Sequence, residues 1–131
     1  MEIFKLGNYN FGIEKNELVL DIERKSEKIY VSDIEIRGNE AVFENLLEDD
    51  DFECSWSLYP PYFYARQVKL DTNDSLRINE DNIDDYDVGI YLMEHFDVDI
   101  VIKIDEGYLS IDGIAIIDNQ EYTMRTQCKL I

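Results

Sequence analysis

The sequence contains little of what most enzymes and metal-binding proteins require. Of its 131 residues, one is histidine, two are cysteine and two are proline, and its six glycines are scattered singly. The sequence has no Gly-x-Ser-x-Gly motif whose serine His95 could activate as a base, and neither cysteine lies in a recognisable catalytic context. One histidine and two separated thiols also fall short of a zinc site, and isolated glycines do not form a phosphate-binding loop. We therefore expect no enzyme, no metal and no cofactor.

Basic residues are scarce, which limits the partners. The formal net charge is −18, from 30 acidic and 12 basic residues, and no cluster of lysine or arginine occurs. Binding to nucleic acid and to anionic membranes depends on such clusters, so we expect neither partner. A basic protein is the natural complement, because opposite fields speed up encounter and disfavour wrong partners. High charge can also serve solubility alone.

Long hydrophobic runs are absent too. No apolar stretch approaches the ~18 residues of a membrane-spanning helix, and residues 1–8 lack the basic and apolar regions of a signal peptide. We therefore expect a cytoplasmic protein. Cys54 and Cys128 lie on apolar faces of predicted strands, which favours buried free thiols; a bridge between them would fit an exported chain.

What the sequence has throughout is alternation of apolar and polar residues, the pattern of half-buried antiparallel strands. Its length predicts a single domain over residues 1–131. About nine or ten short strands with little helix predict a mainly β fold, either an antiparallel β-sandwich or a strongly bent, barrel-like sheet.

Several local features follow from the same pattern. The apolar residues of 29–36 switch parity, which predicts a β-bulge near Ser32-Asp33. Segment 40–47 fits a strand or a helix, and we favour a strand. Segment 62–70 is predicted to be extended after Pro60-Pro61 break the preceding strand. The strand before the two prolines is predicted to direct one face into the core, formed by Phe52, Cys54, Trp56 and Leu58. Segment 62–70 is predicted to place Tyr64, Val68 and Leu70 on a common side.

The last third of the chain shows the strongest alternation. It predicts a meander of four strands over 88–96, 98–104, 108–117 and 121–130. Glu106-Gly107 and Asp118-Asn119 supply turn residues between the last three of these strands.

Acidic residues are segregated along the chain. Seven acids and no lysine or arginine lie between Arg37 and Arg66, and eight acids and no lysine or arginine lie between Arg77 and Lys103. Tyrosines accompany both segments, and tyrosine beside carboxylates can give apolar contact and hydrogen bonds at an interface. If the two segments lie on one side of the fold, they form a single acidic, tyrosine-bearing face. The predicted partner-binding residues are Glu48, Asp49, Asp50, Asp51, Tyr59, Tyr62, Asp81, Asp84, Asp85, Tyr86 and Asp87.

Plentiful carboxylates leave two other interpretations to weigh. Asp71-x-Asn73-x-Ser75 begins like an EF-hand loop, but Leu76 replaces the required glycine and Asn82 replaces the bidentate glutamate. A calcium site of another kind, built from 48–51 or 81–87, stays open, because hard cations favour clustered oxygens. A glycosidase stays open as well, since the separation of its two carboxylates decides that question.

The acidic runs 48–51 and 81–87, with their neighbouring tyrosines, give the chain its character. In size, acidity and lack of targeting or catalytic signals, it resembles the small immunity proteins of bacterial toxin–immunity systems. The resemblance implies a non-enzymatic protein that binds one cognate toxin and blocks its active site or substrate surface; a basic toxin that acts on nucleic acid is the commoner match. No family motif is shared, so no residue role is carried over. The alternative is a β-sandwich module that binds a carbohydrate or another small ligand, with or without calcium.

Overall fold

The protein folds into two antiparallel β-sheets, one of them strongly curled into a half-barrel, with little helix. This confirms the predicted fold class. The computed structural model describes residues 2–14, 19–25, 28–49, 59–71, 74–91, 93, 95–105 and 107–129. The predicted core strand that carries Phe52, Cys54, Trp56 and Leu58 lies outside the described residues, as do Asp50 and Asp51.

The first sheet has six strands in the order β2-β1-β11-β10-β9-β7. Its longest strands form a hairpin meander in which β10 lies between β9 and β11. Asp118 and Asn119 connect β10 to β11 with φ angles of 50° and 66°, which suits the tight turns that match the twist of paired strands. The bounds are β1 Ile3–Leu6, β2 Tyr9–Asn10, β7 Ser75–Ile78, β9 Phe96–Asp105, β10 Tyr108–Ile117 and β11 Gln120–Lys129.

The second sheet has the strand order β3-β4-β5-β8, with β6 paired to β4. Asp33 pairs with Asp21 and Val31 pairs with Ile22, so Ser32 is the extra residue of a β-bulge. The predicted bulge is thereby confirmed, and it lets Val31 and Ile34 both face the core. The bounds are β3 Val19–Lys25, β4 Lys28–Arg37, β5 Tyr62–Arg66, β6 Leu70–Asp71 and β8 Asp87–Ile90.

The inward faces of the two sheets share one hydrophobic core. Burying each large side chain contributes roughly 1.5–3 kcal/mol to stability. Cys128 is a buried, free thiol, as predicted. The largest fully buried side chains include Phe4, Phe11, Phe43, Phe63, Ile34, Ile36, Ile100 and Ile102.

The segment predicted as a strand at 40–47 is instead helix α1, Glu40–Leu47. Asn39 caps it: its side-chain oxygen accepts a hydrogen bond from the backbone N–H of Val42 at 3.1 Å, which satisfies one of the donors left free at a helix start. Phe43 anchors the helix by packing edge-on against Phe11, with ring centroids 6.2 Å apart. The cap and this single buried ring stabilise the helix where the apolar pattern was ambiguous.

The predicted four-strand meander has three strands. The segment predicted as its first strand, 88–96, is not one continuous strand, because β8 ends at Ile90. A turn follows, in which the backbone N–H of Met93 donates to the carbonyl of Ile90 at 3.0 Å. Strand β8 pairs with β5 in the other sheet. Opposite Tyr64 on β5 stands Gly89, and the tyrosine ring occupies the space that a side chain there would need. The chain thus changes sheets before β9 begins.

Candidate functional site

The outer surface of the six-stranded sheet carries a groove of about 390 Å³. Its lining combines acidic side chains with two isoleucines of β10, Ile114 and Ile116. We call it the acidic groove. The charged side chains that line it are Arg77, Glu80, Asp81, Asp97, Asp99 and Glu121.

Strand register places three of these residues in one row. Asp97 of β9 and Glu121 of β11 both pair with Ile116 of β10. Neighbouring strands lie about 4.8 Å apart, so two carboxylates flank the isoleucine at a mutual spacing of roughly 10 Å. Asp97 points outward because the alternating residue Val98 is buried. The row therefore presents an apolar surface between two negative charges.

One carboxylate of the acidic groove is compensated within the protein. The guanidinium of Arg77 donates to both oxygens of Asp99, each at 3.0 Å. These hydrogen bonds, and then the positive charge of Arg77, lower the pKa of the Asp99 carboxyl. The other carboxylates that line the groove, Glu80, Asp81, Asp97 and Glu121, leave the net charge of its lining negative.

The groove combines carboxylates with an exposed apolar surface, a pairing that can accommodate a basic side chain. Among the residues that the structure describes, no three histidine, cysteine or acidic side chains are grouped so as to hold a metal. Lysine and arginine have apolar stems and charged heads. Such a side chain can cover Ile114, which is 38% exposed, while its head approaches the carboxylates that flank Ile116.

The outer face of the second sheet carries a different groove, of about 490 Å³, lined by Tyr62, Tyr64, Arg66 and Tyr91. We call it the tyrosine groove. The ring centroids of Tyr62 and Tyr64 are 6.4 Å apart, and those of Tyr62 and Tyr91 are 6.1 Å apart, both pairs tilted. Phe63 is buried while its neighbours face outward. The prediction that Tyr64 shares a side with Val68 and Leu70 is therefore wrong: those two are buried, and positive φ angles at 67 and 69 change the parity.

Arg66 holds one end of the tyrosine groove in place. Its guanidinium donates to Glu35 at 2.6 Å and to Asp87 at 2.8 Å, and it lies 4.6 Å from the centroid of the Tyr64 ring. Hydrogen bonds to Glu35 and then to Asp87 raise the pKa of Arg66 above its already high usual value. Tyr64 is held from the other side by Gly89, where an added Cβ would lie 2.7 Å from the tyrosine hydroxyl. Tyr64 thus contacts both the guanidinium of Arg66 and the backbone at Gly89.

The predicted partner-binding residues of the second acidic run are divided between the two grooves. Asp81 lines the acidic groove, and Asp87 binds Arg66 beside the tyrosine groove. Asp84 and Asp85 lie exposed in the short 3-10 helix Ile83–Asp85 between them. Tyr86 is half-buried against the core, so its ring contributes to packing.

The first acidic run is attached to a different element from the second. Glu48 and Asp49 are exposed at the end of helix α1. Helix α1 begins near β2, because the backbone N–H of its cap residue Asn39 donates to the carbonyl of Phe11, the residue after β2. The second run follows β7, at the opposite end of the strand order of that sheet. Tyr59 is 64% exposed, and Tyr62 lines the tyrosine groove. That the two runs share one face stays a prediction.

Sequence reasoning missed the isoleucines and Glu121 of the acidic groove. Asp97 and Asp99 were counted among the segregated acids, but their proximity to β10 and β11 depends on strand register. The alternation within 96–105 already marks both aspartates as outward-facing, and that was the available signal.

Comparison with known protein families, with curated proteins and with solved structures finds no match to this chain. In the part of the chain that the structure describes, no helix is long and apolar enough to cross a membrane.

Proposed function

We propose that this protein is a non-enzymatic inhibitor, of the immunity-protein kind, that binds a basic protein partner through the acidic groove. The observation that carries the proposal is the row formed by Asp97, Ile116 and Glu121. An apolar strip between negative charges matches a lysine- or arginine-bearing surface. The supporting observation is the net charge of −18, which attracts such a surface from a distance.

The energetics favour a contact that combines charge with burial. A basic side chain about 4 Å from one carboxylate gains about 4 kcal/mol of Coulomb energy at an effective dielectric constant of 20, before desolvation is subtracted. The exposed apolar surface of Ile114 and Ile116 adds a term proportional to its buried area. Burial there also excludes water from the neighbouring ion pairs, which strengthens them.

The partner that fits this surface best is a toxin that acts on nucleic acid. Proteins that bind nucleic acid neutralise its phosphates with lysine and arginine. Carboxylates held about 10 Å apart on a rigid sheet would occupy places that phosphates take in the toxin's substrate complex. The inhibitor would then block the substrate surface without performing chemistry.

The test uses two variants that remove the same number of charges. The groove variant is Asp97→Asn with Glu121→Gln; the control is Asp105→Asn with Glu40→Gln, whose side chains are exposed outside the groove. Wild type and both variants are used as bait in extracts of the source cells. A basic protein retained by the wild type and the control, but depleted at least about tenfold with the groove variant, is the expected result. Equal retention by all three would contradict the proposed interface.

The alternative, a ligand-binding module that depends on calcium, is separated by a melting experiment. A module that binds the ion in its folded state gains stability with ion concentration, so its melting temperature should rise by several degrees in calcium relative to EDTA. An inhibitor of the proposed kind should melt at the same temperature in both. A clear rise would favour the module.

A further inference from the structure

Strand register gathers basic side chains on the outer face of the six-stranded sheet, although they are spread along the sequence. Lys5 of β1 stands directly opposite Arg125 of β11. Lys103 of β9 and Lys129 of β11 point to the same side, since the residues next to each of them along the strand are buried on the other side. All four are exposed. We call them the basic strip.

The outer face is therefore divided into a positive and a negative half. The basic strip has two acids at neighbouring outward strand positions, Asp105 and Asp112, which leaves a net charge of +2. The charged lining of the acidic groove sums to −4, from one arginine and five acids. Lys103 and Asp97 are six residues apart on β9, which is about 20 Å along a strand. One face thus carries opposite charges toward its two ends.

Part of this arrangement opposes the stability of the fold. Like charges directly opposite each other on neighbouring strands are destabilising, and Lys5 and Arg125 form such a pair. Asp112, on the other side of Arg125, offsets one of these two charges. In a chain with 30 acids and 12 bases, a surplus of cations on one face favours a role in binding an acidic surface.

We infer that the outer face of the six-stranded sheet is a self-association surface, on which a second copy of this chain docks about a two-fold axis, with its acidic groove against the basic strip of the first. A two-fold contact presents the same patch on both copies. Each copy then supplies one positive and one negative half, so both halves of both copies meet their opposite. A uniformly basic partner, in contrast, would be repelled by the basic strip wherever its contact extended beyond the acidic groove.

Strand register makes the two halves match under such an axis. Gly113 of β10 pairs with Ile100, which lies midway between Asp97 and Lys103 on β9. An axis that crosses the strands at this level reverses their direction and brings Asp97 over Lys103 of the other copy. On β11 the same axis brings Glu121 between the two cations of that strand.

Contact between the two halves can outweigh the repulsion between two acidic copies. Exposed charges more than about 8 Å apart are largely screened at about 0.15 M salt, whereas pairs in contact are screened much less. The outward surface of the five strands β1, β7, β9, β10 and β11 covers roughly 600 Å² per copy at ordinary strand spacing and rise. That area is at the low end for a specific interface, so we expect a weak, reversible dimer.

Self-association does not depend on the proposed inhibitor function, although both use the acidic groove. A basic partner that binds there must displace the second copy, so the dimer would cover the groove until such a partner arrives. Self-association is measured on this chain alone. It can therefore fail while partner binding holds, and partner binding can fail while the dimer forms.

Sedimentation velocity on the full chain, with a charge swap, tests the inference. Protein from about 10 µM to about 500 µM is run in about 0.15 M NaCl. The groove swap is Asp97→Lys with Glu121→Lys, and the strip swap is Lys103→Glu with Arg125→Glu. Each is run alone, and the two are also run as an equimolar mixture. Circular dichroism verifies that each variant is folded.

The matched control is Glu44→Lys with Glu48→Lys. Both residues are exposed at helix α1, away from the outer face of the six-stranded sheet. The control changes the net charge by the same amount as the groove swap. It therefore separates an effect of local contact from an effect of overall charge.

The expected result for wild type is a monomer–dimer equilibrium. Either swap alone should raise the dissociation constant about tenfold or more, because like charges then face each other. The mixture should dimerise within about threefold of wild type, since each half again meets its opposite. The helix control should dimerise at least as tightly as wild type, because it only lowers the mutual repulsion.

A wild type that stays monomeric at every concentration would overturn the inference. So would a dimer that the groove swap leaves intact, or a helix control weakened as much as the groove swap. A mixture that stays monomeric while both swapped proteins are folded would also contradict the two-fold contact.

Discussion

Replacing Gly113 by alanine should be among the most damaging small changes in this protein. Gly113 lies mid-strand in β10, opposite Ile100, with a φ angle of +150°. An added Cβ would lie 2.8 Å from the Cα of Ile100 and 3.0 Å from the carbonyl carbon of Asp99, and it would collide with the carbonyl oxygen of Asp99. These are backbone atoms of the adjacent strand, so no side-chain rotation relieves the contact. The close approach lies beside Asp99, which lines the acidic groove.

Two effects contribute to the loss of stability expected for Gly113→Ala. A non-glycine residue at such a φ angle costs about 1–3 kcal/mol, and overpacking against neighbours that cannot move costs about 1–3 kcal/mol more. We therefore expect Gly113→Ala to reduce the free energy of unfolding by about 4 kcal/mol. For a domain of this size, that corresponds to a fall in melting temperature of roughly 12–20 °C.

Gly107→Ala is the matched control, because it separates backbone conformation from steric contact. Gly107 also has a positive φ angle, +86°, but nothing lies within 4 Å of an added Cβ. Its substitution should cost only about 1–2 kcal/mol. Urea unfolding followed by circular dichroism measures both variants. If Gly113→Ala were no more destabilising than Gly107→Ala, the close approach of β9 and β10 would be wrong.

Two further predictions concern the helix cap and the buried thiol. Asn39→Ala should lower the free energy of unfolding in urea by about 1–2 kcal/mol, because it removes the hydrogen bond from the backbone N–H of Val42 and a 3.3 Å hydrogen bond from the Asn39 amide to Glu14. Asn39→Ser should recover most of the stability contributed by the cap. An unchanged stability in the alanine variant would argue against a stabilising role for the cap. Burial, and then the negative charge of Glu2, raise the pKa of Cys128 to about 12 from its usual value of 9.0. The folded thiol therefore stays protonated where the unfolded thiol ionises, so its contribution to stability is complete below pH 9.0 and is lost as the pH rises toward 12. In a Cys54→Ser background a thiol reagent should label Cys128 only after unfolding, and rapid labelling of the native protein at about pH 8 would contradict its burial.

The features that could be read from the sequence were those set by local chemistry. The parity switch in 29–36 requires one extra residue, and the structure places it at Ser32. Asp118-Asn119 tolerates the positive φ angles of a two-residue turn, so the β10–β11 hairpin could be predicted. Both signals act over a few residues and need no knowledge of what lies across the sheet.

Helix α1 was predicted as a strand because eight residues are too few to distinguish the helical period of 3.6 residues from the strand period of two. Val42 and Phe43 are adjacent and fit either element. Asparagine is also a preferred helix cap, and Asn39 does act as one. The packing of Phe43 on Phe11, 32 residues earlier, could not be inferred from the local pattern.

The candidate site depended on register and on a change of sheet. Asp97, Ile116 and Glu121 form one row only because β9 and β11 pair with β10 in the observed alignment. Tyr91 meets Tyr62 because β8 pairs with β5 and not with β9. Segregation of acids along the chain indicated a charged surface, but it could not show which acids share it.

The most direct measurement of the inhibitor proposal is the affinity of the groove variant for a purified basic partner at two salt concentrations. Asp97→Asn with Glu121→Gln should raise the dissociation constant about tenfold or more, and it should also flatten the dependence on salt relative to wild type. The control with Asp105→Asn and Glu40→Gln should bind within about threefold of wild type. An unchanged affinity in the groove variant, with the same salt dependence as wild type, would show that the acidic groove is not the binding surface.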